Sequence, residues 1–165
     1  MNRREAIIAG IAGVTVTAAA MPSAEAGSSP EANPELDQVR ALLNAHNQAF
    51  SDHDMDGVLA CFTQKAAIMG TGPGEIWSGP DEIKGAYQHF FDVFDKGSQK
   101  FEYQFRIGGL TSEMGWMMAA GNITAKKEGK EFAFPLNLSL TVAKNEGKWL
   151  IAAMHFSTLT GASNA

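Results

Sequence analysis

The chain has 165 residues, a formal net charge of −5 and a pI near 5.3. That length suits one domain, and an apolar content of 45% excludes a disordered chain. The acidic balance argues against a nucleic-acid partner, which would require a basic stripe. One cysteine excludes an intramolecular disulfide and a thiolate zinc cluster.

Residues 1–26 read as an export signal. Arg3 and Arg4 precede an uncharged run of small and apolar residues from Ala6 to Ala20, and Ala24-Glu25-Ala26 supplies a small-x-small cleavage site before Gly27. The run is too short to span a bilayer. The Arg pair resembles a bacterial twin-arginine signal, although Glu5-Ala6-Ile7 departs from the usual bulky residues, so the general secretory route stays open. The expected location is periplasmic or secreted. The signal holds two basic and two acidic residues, so its removal leaves the charge at −5. Cys61 then lies alone in an oxidising compartment, in an apolar helical setting that suits a buried, inert thiol.

Residues 27–34 have linker composition. A domain is expected over 35–160. Its first helix runs from about Glu35 to Ser51, with Leu36, Val39, Leu43, His46 or Asn47, and Phe50 on the inner face. A second, capped by Asp54, extends to Phe62. Short extended pieces are expected at Ala66–Met69 and Glu75–Trp77, around a Thr71-Gly72-Pro73-Gly74 loop. Gly79-Pro80-Asp81-Glu82 opens a third helix whose stripe is Ile83, Tyr87, Phe90, Phe91 and Phe94.

From Lys100 the period becomes two. Phe101, Tyr103, Phe105 and Ile107 alternate with polar residues, and further strands follow at Gly115–Lys126, Glu131–Lys144 and Lys148–Leu159. Helices first and strands last predict an α+β fold: three helices on one face of a curved, mainly antiparallel sheet ending in a four-strand meander. If Asn145-Glu146-Gly147 is a three-residue loop, Lys144 pairs with Lys148 and Asn137 lies opposite His155. The row Leu136, Leu138, Leu140 and Val142 then forms one apolar face.

Several motifs dissolve on inspection. Asp52-x-Asp54-x-Asp56-Gly57 copies half an EF-hand loop, but position twelve is Thr63 where calcium needs a glutamate. The Gly72-Pro73-Gly74 loop lacks the Lys-Ser/Thr ending of a phosphate cradle. The methionines form no Met-x-x-Met cluster for copper. No metal and no cofactor is expected. His46, on the apolar face of the first helix, is either a satisfied core histidine or a polar group at a pocket floor. His155 carries the same ambiguity. No buried carboxylate pair suited to acid–base work is visible.

Three stretches carry a family resemblance: AHNQAFSDHDMDGVLACF (45–62), IMGTGPGEIWSGPDEI (68–83) and GKWLIAAMHFS (147–157). The chain resembles the SnoaL-like branch of the nuclear transport factor 2-like superfamily, which includes ketosteroid isomerases. The resemblance implies a cone-shaped fold, a pocket at its open end and commonly a homodimer. It does not transfer isomerase activity. The isomerase's oxyanion tyrosine falls on His46, its base aspartate near Gly70, and its second acid near Ser139. The residues therefore point first to a domain binding a small, largely apolar molecule. Trp77, Phe91 and Tyr103 would be its walls, and His46, Asn137, Ser139 and His155 its polar groups. The alternatives are an enzyme (isomerase, dehydratase or hydrolase type) using His46 or His155 as general base, and a ligand-free association module joined through an apolar sheet face such as Leu136, Leu138 and Leu140.

Overall fold

A computed structural model describes residues 33–158. The expected signal and its cleavage site, most of the linker, and Leu159 lie outside the described residues. Helix α1 (Pro34–Ser51) starts where the sequence supplies a start. Asn33 accepts hydrogen bonds from the backbone N–H groups of Glu35 and Leu36, Pro34 occupies the first turn, and Glu35 and Asp37 face the positive end of the helix dipole. Its fully buried line is Leu42, His46 and Ala49. Leu36 is left exposed and Val39, Leu43 and Phe50 are only partly covered, so the helix is rotated from the expected stripe. The stripe's flank borders a groove described below.

Helix α2 (Met55–Leu59) is capped by the Asp54 carboxylate, which accepts from Gly57 N at 3.1 Å. It stops short of the expected Phe62. Strand β1 (Phe62–Met69) begins there instead, because Phe62 pairs with Ile151 and Ile151 N donates to Cys61 O at 2.8 Å. A tertiary partner thus overrides local helical periodicity. Cys61 is buried, its thiol donating to Gly57 O. Strand β2 (Ile76–Ser78) pairs back on β1, and α3 (Gly79–Val93) follows with Ile83, Ala86 and Tyr87 buried.

Strands β3 (Lys100–Leu110), β4 (Met114–Lys127), β5 (Lys130–Asn145) and β6 (Lys148–Ser157) complete an open six-stranded mixed sheet. Its order is β2-β1-β6-β5-β4-β3, and only β1 with β6 is parallel. The helices cover one face. Between them and the sheet lies the core: Leu42, Ala49, Val58, Ile83 and Tyr87 against Ile68, Leu138, Leu140, Val142, Trp149, Ile151 and Met154.

Two registers differ from expectation. The β5–β6 turn holds two residues, Glu146 (φ 50) and Gly147 (φ 79), so Asn145 pairs with Lys148. Two successive positive φ angles give the turn whose twist suits a hairpin. A second shift falls between Val142↔Ile151 and Thr141↔Ala153. That irregularity lets Trp149, Ile151 and Met154 all reach the core despite their mixed parity. His155 therefore lies opposite Ser139 and not Asn137, and Asn137 lies opposite Ser157. The row Leu136, Leu138, Leu140 and Val142 is buried under the helices, not exposed. In β3 a bulge between Tyr103 and Phe105 splits the expected alternation. Phe101, Tyr103 and Arg106 take the helix side, through pairing with Ile123, Gly121 and Ala119. Phe105 and Ile107 take the outer side, opposite Ala120 and Met118.

Candidate functional site

His46 comes from the inner line of α1, where it is 5% exposed. Its Nε2 lies 2.6 Å from the Tyr87 hydroxyl on α3, and its Nδ1 lies 3.4 Å from Asn47 Oδ1. Phe62 and Tyr87 pack their rings edge-on against it. Burial holds the imidazole pKa down at about 4, and burial pushes the Tyr87 phenol well above its usual range. Both groups are thus neutral near pH 7. The consistent assignment has Tyr87 O–H donating to Nε2 and Nδ1–H directed at Asn47 Oδ1. Every lone pair and proton of the ring is engaged within the protein. The geometry is that of a satisfied core histidine, and a pKa near 4 makes it a weak proton acceptor.

The other expected pocket residues do not gather around it. Phe91 stacks on His53 at 4.6 Å between ring centres and on Phe50. Trp77, opposite Ile68, packs partly buried against the core. Tyr103 stands on the helix side of β3, 37% exposed, with the Arg106 guanidinium 4.8 Å above its ring. Asn137, Ser139 and His155 lie on the opposite, outer face of the sheet, where the Asn137 amide donates to Ser157 Oγ. A sheet therefore separates His46 from Asn137 and His155, and the three line no common cavity. The expected pairing of Asn137 with His155 depended on the three-residue turn that the chain does not make.

Two surfaces that the sequence reading missed are formed instead. The outer sheet face carries Met69, Ile76, Phe105, Ile107, Met114, Trp116 and Met118, each 45–59% exposed. Register places Ile76, Met69, His155, Ser139, Met118 and Ile107 in one row across all six strands. A shallow depression of about 420 Å³ lies over its centre, bounded by Ala67, Met69, Ile76, Trp116, Met118 and His155. The second surface is a groove of about 510 Å³ on the helix side, between α1 and strands β3 to β5. A signal for the first was present: β4 reads Met114-Gly115-Trp116-Met117-Met118-Ala119, apolar at both parities. A strand apolar on both faces requires cover on both.

Residues 39–161 match the family model described as SnoaL-like domain. The chain belongs to the SnoaL-like family. No curated protein matches this SnoaL-like chain in sequence. Among solved structures it is similar to a protein from Xanthomonas campestris provisionally named a calcium/calmodulin dependent protein kinase II association domain, with TM-score 0.68 and 19% identity over 87% of this chain and 100% of that one. It is also similar to a ketosteroid isomerase-like protein from Erwinia carotovora atroseptica, with TM-score 0.62 and 23% identity over 78% and 98%. A third is a protein of the NTF2-like family from Streptomyces avermitilis, provisionally named a dehydratase, with TM-score 0.66 and 13% identity over 76% and 97%. At these identities the likeness is one of fold, and it places the SnoaL-like chain among NTF2-like and ketosteroid isomerase-like folds.

The position that resembles the isomerase base has no room for a side chain in this SnoaL-like domain. A Cβ on Gly70 would collide with the Glu75 carboxylate, which is held there by Gly72 N at 2.7 Å.

Proposed function

We propose that this SnoaL-like domain is an association module in which two copies pack outer sheet face against outer sheet face. The observation that carries the reading is the exposed apolar row. Seven half-exposed side chains of this size leave on the order of 700 Å² of apolar surface, near the roughly 800 Å² that each partner contributes to a standard interface. The positions between them are Ala67, Ala153, Asn137, Ser139, Thr141 and His155, none of them an acid, a lysine or an arginine. In a chain of net charge −5, a sheet whose outer face has no acid, lysine or arginine at its centre has the composition of an interface centre. A self-complementary patch of this kind meets itself without like-charge contact. The Xanthomonas protein named for association shares the fold, in keeping with this reading.

The experiment is light scattering on purified protein. A dimer is expected for the natural chain, and a folded monomer for Trp116→Glu combined with Met118→Glu. A monomeric natural chain, or a double variant that stays dimeric, would sink the reading. The enzyme reading has less support, because His46 has no free ring nitrogen and His155 lies on the face assigned to the partner. We further propose export, with the mature chain beginning at Gly27. N-terminal sequencing of the secreted protein tests it.

A further inference from the structure

The helix-side groove combines an apolar wall with a cation. Leu36, Val39 and Leu43 of α1 face Leu110, Met117 and Val142 of the sheet, and the Arg106 side chain stands at its margin. Among the described residues Arg106 has no carboxylate partner; Arg40, also on the groove, is held by Asp37 at 3.0 Å. In an acidic chain an unpaired guanidinium beside an apolar groove is unusual company. The β3 bulge is what brings it there. Without the extra residue at Gln104, Arg106 would fall on the face opposite Tyr103. With it, both share the helix side and the guanidinium rests over the phenol ring. Bulges re-aim single side chains in this way, and stacking leaves the guanidinium edge and its N–H donors free. Glycines at 108 and 115 keep the wall beside it low: a Cβ on Gly108 would press on Trp116 O and one on Gly115 on Leu110. A volume of about 510 Å³ falls in the range of small-molecule sites.

We propose that this groove binds a small molecule with an apolar body and one carboxylate, the carboxylate paired to Arg106. The site is independent of the association reading. Ile107 and Trp116 touch both surfaces, so the test leaves them unchanged.

Decanoate and decanol are the probes, titrated by calorimetry and followed by the amide NMR signals of Gly108, Gly109 and Gly115. Decanoate is expected to shift those signals and to bind about ten-fold tighter than decanol or more, the gain of a charge-assisted pair. Arg106→Gln should remove that preference while leaving decanol affinity unchanged, and Arg106→Lys should keep part of it. The proposal is overturned by no binding of decanoate, by equal affinity for the two probes, or by an unaltered preference in Arg106→Gln. Signal shifts centred on Met69 and His155 would overturn it too, since they would place the probe on the outer face.

Discussion

His46 and Tyr87 show how one polar pair is afforded inside an apolar core. The imidazole stays neutral because charging it would cost more in lost hydration than its neighbours return. That makes folding depend on pH in a defined sense. The folded pKa of about 4 lies below the ordinary value of 6.5. The unfolded chain therefore binds the proton first, and stability is complete above about pH 6.5. It is lost as the pH falls through that interval towards 4, by about 3 kcal/mol for this group. Urea titrations at a series of pH values measure it. In His46→Phe the slope between pH 6.5 and 4 should flatten, even though the variant is less stable overall because the Tyr87 hydroxyl loses its partner. An unchanged slope would show that the acid sensitivity resides elsewhere. Glu35 acts in a lower window: hydrogen bonds from Lys144 and Trp149 hold its carboxyl below the usual range.

At the scale of elements, turns and bulges decide which side chains share a face. Glu146 and Gly147 set the β5–β6 register, and the later shift re-phases β6 so that Met154 joins the core. The β4–β5 turn, Glu128 (φ 52) and Gly129 (φ 77), is tied to the connection after α3. The Asp95 carboxylate accepts from Glu128 N at 2.9 Å and Gly129 N at 2.7 Å, and Asp95 N donates to Lys126 O. This clasp fixes the far end of the sheet to the helix layer. Asp95→Ala is expected to cost about 1–2 kcal/mol, read as a lower Tm. Faster hydrogen exchange should be confined to the turn amides. Exchange that speeds up uniformly across the sheet would contradict a local clasp.

At the scale of the molecule, a sheet of six strands receives helices on one face only. The other face is apolar and uncharged at its centre, so water is a poor cover for it. Pairing through such a face should depend little on salt, because no ion pair lies at its centre to be screened. Sedimentation of the natural chain at low and at high ionic strength should give dimer affinities within about three-fold of each other. A steep loss of dimer with salt would place the contact on the charged ends of the strands instead.

The sequence by itself determined the order of helices and strands, the cap at Asp54, and the apolar line through Leu136, Leu138 and Leu140. These follow from local chemistry: a cap needs only its own turn, and alternation needs only its own strand. It also carried the SnoaL-like resemblance through three short stretches. Tertiary structure alone decided which face of each strand meets the helices. A single extra residue reverses every side chain beyond it, and neither the bulge after Tyr103 nor the shift after Ile151 leaves a mark in composition. That is why His46 and His155, adjacent on paper in one imagined pocket, stand on opposite sides of the sheet. Arg106 moved the other way, from the polar side of an alternating strand to the helix side, where it stacks on Tyr103 at the margin of the groove.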